Sequence, residues 1–208
     1  MIYLLMSLGG VAQIWAWRLV AVGYLSIWTA TVPALVACGA AAVISRRVVL
    51  SPNVSVPLAT LGGLGAGFAL FAATRGFLAV TASSPTLRRA SREIYQEQGS
   101  LPTPLAFIVS LALAVPGEEL FWRGLFQGRA SHVFGGFGGA LLTWGSYLMV
   151  NASSGLPALV AGAVVGGAAW GALAWWTHGV LAPLLCHGVW TGLMVVRPPV
   201  RRGAGLRV

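Results

Sequence analysis

The chain has 208 residues, 57% of them hydrophobic and only 8% charged, with 28 glycines and 9 tryptophans and a mean hydropathy of +0.82. Soluble globular domains carry about 25% charged residues, so this composition excludes a water-soluble enzyme, a disordered chain and a secreted disulfide scaffold, and implies a polytopic membrane protein. All 13 cations are arginine and the only acids are Glu93, Glu97, Glu118 and Glu119, for a net charge of +9. The arginines sit mostly between apolar runs, as topology signals do, and read as cationic helix flanks and not as a nucleic-acid footprint.

In chain order, residues 1–17 are apolar but short, and either a helix or an interfacial segment fits them. They lack a basic n-region, so no cleavable signal peptide is read there. Residues 19–45 hold 27 positions without a charge, closed by Arg46 and Arg47. Residues 48–74 are also uncharged but start polar (Ser51, Pro52, Asn53, Ser55), which predicts a helix from near Pro57 running past Arg75. About 20 apolar residues cross a bilayer core, so each stretch holds one span. Residues 83–100 are the most polar; Ser84 before Pro85 has the pattern of an N-cap with proline at N1. With Leu87, Ile94 and Tyr95 as an apolar edge, this segment predicts a short helix on the membrane surface, a solvated loop being the alternative.

Residues 101–117 are apolar again, but at 1.5 Å per residue they reach only about 25 Å. A bilayer core is about 30 Å thick, so the span must continue through Glu118. Residues 130–196 are 67 positions without Asp, Glu, Lys or Arg. That is enough for three spans, with breaks or tight-packing points at 135–139, 155–157 and 177–179. The tail carries Arg197, Arg201, Arg202 and Arg207. The positive-inside bias puts this tail and Arg88, Arg89 and Arg92 in the cytoplasm, while Arg46 and Arg47 then fall on the opposite side of a six-span bundle. Cys38 and Cys186 both lie inside apolar runs and imply no disulfide framework. Three glycine pairs spaced by four (Gly135/Gly139, Gly162/Gly166, Gly167/Gly171) predict close helix packing within the bundle, with dimerisation as the other reading.

The expected architecture is all-α: a transmembrane bundle of six helices, or seven if residues 1–17 form one, with a short interfacial helix. It forms one membrane domain over 1–208, with a core at 101–196, the polar segment at 83–100 and an Arg-rich tail at 197–208, in a cell membrane.

Half of all the acid is one dipeptide, in Val115-Pro-Gly-Glu-Glu-Leu-Phe-Trp-Arg-Gly124. An ionised group at bilayer depth costs about 2.5–3.5 kcal/mol even on lenient scales, so an intramembrane acid is a functional-site candidate by default. Glu119 and Arg123 are i and i+4, about 40° apart on a helix, and can pair. Glu118 is turned about 100° from Glu119 and has no such neighbour; a carboxyl in an apolar pocket suits general acid or base work. Pro116 and Gly117 should loosen the helix just before it. The bland alternative is an ion pair that only fixes one helix against another.

A second polar position is His187, with Thr191 one turn on and on the same face. Cys186 beside His187 points about 100° away, which argues against a Cys–His dyad. Tyr147 and Asn151 form a third i, i+4 candidate. No metal-site pattern and no phosphate-binding loop is present, and neither a cofactor nor a metal is implied. His132 and His178 stand apart: His178 is read nine residues before His187, on the opposite helix face.

Glu-Glu-x-x-x-Arg at 118–123, aromatic-x-x-x-polar at 147–151 and His-x-x-x-polar at 187–191, each in its own apolar helix, resemble the CPBP family. These are the CAAX proteases and bacteriocin-processing enzymes, related to the type II CAAX prenyl endopeptidases. The resemblance covers 101–196 and includes the Trp170-Gly171 pair. It implies an all-helical intramembrane peptidase in which the first glutamate, with a histidine of the second motif, activates water, and the last motif's histidine and asparagine stabilise the oxyanion. Carried over, Glu118 is the general base, Glu119 with Arg123 its supporting pair, and His187 the oxyanion donor. Asn151 replaces the second-motif histidine and Thr191 the final asparagine. Asparagine cannot carry a proton, so water activation would rest on Glu118 alone, and general acid–base assistance is worth about 10² to 10⁴ in rate.

The leading expectation is a membrane endopeptidase acting on a membrane-associated peptide or protein, with the lipid bilayer as its setting and no nucleic-acid partner. A non-catalytic relative acting as a membrane scaffold is the second reading, and a small transporter or proton relay the third.

Overall fold

The structure is a computed structural model that describes residues 1–45, 48–98 and 100–198. Arg46, Arg47, Arg201, Arg202 and Arg207, used above for topology, lie outside the described residues, as do the side chains of Tyr95 and Glu97.

The described chain is helical. Helices α1 (Ile2–Ala21) and α2 (Ile27–Ile44) are separated by a turn. Gly23 takes a positive φ of 71° there, and Ser26 caps α2 by accepting the Thr29 amide at 3.3 Å. The uncharged 19–45 stretch is therefore cut near its start, and residues 1–17 are the larger part of a full helix. Helix α3 (Val56–Val80) has Pro57 in its first turn, as its sequence predicts. Helix α4 (Pro85–Gln98) follows, with the Leu87 amide donating to the Ser84 hydroxyl at 3.4 Å. Its buried face is Ala90, Ser91 and Ile94, turned toward α8 and α2.

A helical stretch of 50 residues comes next, Thr103–Ala152. It is built from α5 (Thr103–Val109), a π-helical turn Ser110–Ala114, α6 (Val115–Glu119), a second π-helical segment Leu120–Gln127, and α7 (Gly128–Ala152). Pro116 has no N–H and its ring crowds the preceding turn; the widened π turn before it accommodates that ring without breaking the helix. Fifty residues at 1.5 Å each are about 75 Å, more than twice the bilayer core. Gly135, at φ 75° and ψ 163°, interrupts α7 and divides the stretch into two apolar segments. Helices α8 (Pro157–Thr177) and α9 (Leu181–Val196) complete the described chain.

Five helices are long and apolar enough to cross a membrane, with Thr103–Ala152 counted once; α9 is a shorter apolar helix of 16 residues. With the division at Gly135 and with α9, the described residues supply seven apolar segments, and the chain is a multi-pass membrane protein.

The most extensive helix interface joins α3 to α9. Gly63 and Gly67 make it possible: a Cβ on Gly63 would lie 2.5 Å from the Ala182 carbonyl oxygen, and one on Gly67 2.8 Å from that of Cys186. This pair escaped the sequence reading, although it has the same spacing as the three later ones. Of those, Gly167 faces Tyr147 and Trp144, Gly162 lies by Trp190 and Gly171 by Gln127, whereas Gly135 is exposed, with nothing within 4 Å of an added Cβ, and stands at a turn with Gly139 against Ser131. Helix α2 crosses α6 at Gly39 and Gly117, where an added Cβ on Gly39 would lie 2.7 Å from the Gly117 Cα. Helix α1 is tied in by buried Gln13, whose Oε1 accepts the Trp122 indole N–H at 3.0 Å while Nε2 donates to Cys38 Sγ at 3.6 Å.

At one end of the bundle the α2–α3 connection meets the α8–α9 turn. The Val180 and Leu181 amides donate to the Val49 and Leu50 carbonyls, each at 3.0 Å. His178 caps α8 in the left-handed region at φ 52°, and its Nδ1 pairs with Asn53 Nδ2 at 2.8 Å. It therefore stands in a turn, not on a helix face behind His187 as the nine-residue spacing suggested.

Candidate active site

The acidic pair lies at the junction of α6 and the second π-helical segment. Glu119 is fully buried, and its Oε1 accepts from Arg123 Nη1 at 3.1 Å. The same oxygen pairs with His187 Nδ1 at 2.8 Å, across from α9. An ionised carboxylate only accepts, so this contact keeps the ring proton on Nδ1 and leaves Nε2 free of Glu119. Arg123 also donates from Nη2 to the Gly167 carbonyl at 3.4 Å. Its guanidinium lies 4.6 Å from the Tyr147 ring centroid and 5.2 Å from that of Trp170. Trp170 in turn stacks on the His187 imidazole, with centroids 3.7 Å apart and an interplanar angle of 16°. The α6–π junction, α7, α8 and α9 thus converge on one buried ion-paired cluster lined by aromatic rings.

The predicted i, i+4 pairing of Glu119 with Arg123 is present. The histidine, however, is held by Glu119 and not by Glu118, because Glu119 is the member of the pair whose face points at α9. Glu118 sits around the helix from it, half-buried, and it does have a neighbour in Tyr147, near its carboxyl. Asn151 is buried, but its Nδ2 donates to the Tyr147 carbonyl of its own helix at 2.9 Å. Thr191 is half-buried one turn beyond His187. Neither Asn151 nor Thr191 hydrogen-bonds to the cluster among the described residues.

Two residues of the cluster were missed as site residues. Trp170 belonged to the recognised pattern but carries no titratable group to mark it. Gln127 extends the stripe one turn past Arg123, and its Nε2 donates to the Gly171 carbonyl at 2.8 Å. Among the described residues, the buried polar atoms without a hydrogen-bond partner are Glu119 Oε2, Arg123 Nε, Gln127 Oε1 and Trp170 Nε1. Native interiors leave few such groups, and here all of them fall in one place. That unused hydrogen-bonding capacity lies beside the buried ion pair in an otherwise apolar bundle.

Compared with known proteins, residues 100–193 match the family model described as type II CAAX prenyl endopeptidase Rce1-like. No curated protein and no solved structure matches the chain. The matched segment runs from the start of the 50-residue helical stretch to the end of the His187 motif, and over that segment the chain is similar to this family.

Proposed function

We propose that the chain is an intramembrane endopeptidase that hydrolyses a peptide bond of a membrane-associated substrate with water activated by Glu118. The observation that carries this reading is the buried Glu119–Arg123–His187 cluster next to Glu118 in a segment that matches a protease family. Glu118 takes a proton from water, and the water oxygen attacks the peptide carbonyl with no covalent enzyme intermediate. Glu119 holds the Nδ1 edge of His187 and offsets the charge of its imidazolium, so that Nε2–H donates to the developing oxyanion. The proton on Glu118 then passes to the leaving amine. Arg123 keeps Glu119 in place, and Thr191 presents a hydroxyl on the His187 face. Asn151 bonds to its own helix backbone, so the base works with the Tyr147 hydroxyl as its neighbour and without a second histidine.

The test is cleavage of a quenched-fluorescent, membrane-anchored peptide library by the chain reconstituted in liposomes. Glu118→Gln should abolish cleavage, and Asn151→His should raise it by about 10-fold or more, within the range of general acid–base assistance. Cleavage unchanged by Glu118→Gln would remove the mechanism.

The hydrogen bond from Asn151 to the Tyr147 carbonyl favours one second reading, a non-catalytic relative that binds membrane proteins as a scaffold. Activity that appears only in the double variant Asn151→His, Thr191→Asn supports that reading.

A further inference from the structure

Beyond Arg123, on the side away from Glu119, lies a cavity of about 530 Å³. It sits at the bundle end where the α2–α3 connection meets the α8–α9 turn. Its wall includes Arg123 and Gln127, both about 97% buried and each with an unpartnered polar atom, Nε and Oε1. Arg129, half-buried, and the exposed His132 and His178 also line it. No carboxylate is among its lining residues. Arg129 is held in position, since its Nε and Nη2 donate to the Tyr3 hydroxyl at 3.1 and 2.7 Å and its guanidinium lies 5.0 Å from the Tyr3 ring centroid. The remaining lining is mostly apolar and includes Trp175.

We propose that this cavity binds a phosphate-bearing anion of the kind that an acidic lipid headgroup presents at the membrane boundary. Its volume falls within the range of small-molecule sites, about 300–1,000 Å³. Basic pockets between membrane helices at the headgroup level attract acidic lipids. A held guanidinium loses little freedom on binding and suits a phosphate through several N–H donors. The buried Arg123, whose Nε–H lacks an acceptor, gives the anion a donor at the floor, and the apolar wall gives a glycerol backbone or acyl chain a place to rest. This site does not depend on the peptidase reading, and its test measures binding alone.

The full chain in neutral detergent is titrated with dihexanoyl phosphatidate, dihexanoyl phosphatidylcholine and glycerol 3-phosphate, with bound species counted by native mass spectrometry. The expected result is saturable binding of one phosphatidate, at least about 10-fold tighter than phosphatidylcholine. Arg129→Gln should weaken it by about 10-fold, the scale of a lost hydrogen bond to a charged group. Tyr3→Phe, which releases the guanidinium from its hydroxyl anchor, should weaken binding several-fold, whereas Arg88→Gln with Arg92→Gln on the exposed face of α4, away from the cavity, should stay within about threefold. If glycerol 3-phosphate also binds and is lost in the same variants, the headgroup phosphate is sufficient; if only phosphatidate binds, the ligand is a lipid. Equal binding of phosphatidylcholine, wild-type affinity in Arg129→Gln, or loss of binding in the α4 variant overturns the proposal. Exposed His132→Ala gives a second, folding-neutral check, expected to weaken binding modestly.

Discussion

Arg123→Met is the sharpest perturbation of the buried cluster, because it removes a charge and leaves its partner. Arg123 and Glu119 have side chains 1% and 0% exposed, joined at 3.1 Å. Without the guanidinium, Glu119 keeps only its contact to His187 at 2.8 Å, while Oε2 already lacks a partner. Breaking a buried ion pair from one side costs about 3–5 kcal/mol, whereas replacing both charges with neutral groups of similar volume is often close to neutral. Adding Glu119→Gln to Arg123→Met should therefore recover most of the loss. The cation–π contacts to Tyr147 and Trp170 stay lost in both variants and leave a residual cost of about 1–2 kcal/mol. The double variant should be about 2–3 kcal/mol more stable than Arg123→Met alone, measured by reversible unfolding in mixed micelles for wild type, both single variants and the double. An Arg123→Met cost below about 1 kcal/mol, or a double variant as unstable as the sum of the singles, would show that the cluster is not the charge-balanced unit described above.

Two further stability predictions test how the site is held. Gly117→Ala places a methyl 2.5 Å from the Leu35 carbonyl oxygen, so it should cost about 1–3 kcal/mol by overpacking; Gly39→Ala opposes it across the same crossing, and the double variant should cost less than the sum because one displacement of α2 relieves both. Gln13→Leu leaves the buried Trp122 indole N–H without its acceptor at 3.0 Å and should cost about 1–3 kcal/mol, whereas the adjacent exposed Ile14→Leu should be within about 0.5 kcal/mol in the same unfolding assay.

What was legible in the sequence is what a bilayer penalises. Charge-free stretches of known length located the spans, Ser84 before Pro85 located the start of α4, and the glycine cluster at 135 located the turn between two apolar segments. The i, i+4 spacing of Glu119 and Arg123 fixed their pairing because a local pair depends only on helix geometry. The choice of partner for His187 was not legible. It depends on how α9 is rotated against α6, which is set by close approach of α9 to Gly63 and Gly67 on a third helix. The π-helical segments were also hidden, since they shift the faces of positions 110–114 and 120–127 from those an ideal helix would give. For the same reason Gln127, eight residues past Glu119, escaped notice although it continues the buried polar stripe.

The division of labour between the two glutamates follows from charge balance in a medium that tolerates little net charge. Glu119 and Arg123 cancel within one buried pair. Glu118 adds one negative charge beside that pair, and His187, hydrogen-bonded to Glu119, is the cluster group that can match it with a positive one. On the proposed mechanism, a site kept neutral holds one mobile proton between Glu118 and His187. With the proton on the histidine, the base is ionised and the oxyanion donor is charged, which is the arrangement that attack by water on a peptide carbonyl requires. With the proton on Glu118, the site is prepared to protonate a leaving amine. On the proposed mechanism, asparagine at 151 leaves this count at one, whereas a second histidine would give the same proton a further resting place. The departure from the family pattern then changes the rate of proton transfer and not the logic of the site, and so Asn151→His is expected to accelerate cleavage while Glu118→Gln, which removes one end of the proton's path, is expected to stop it.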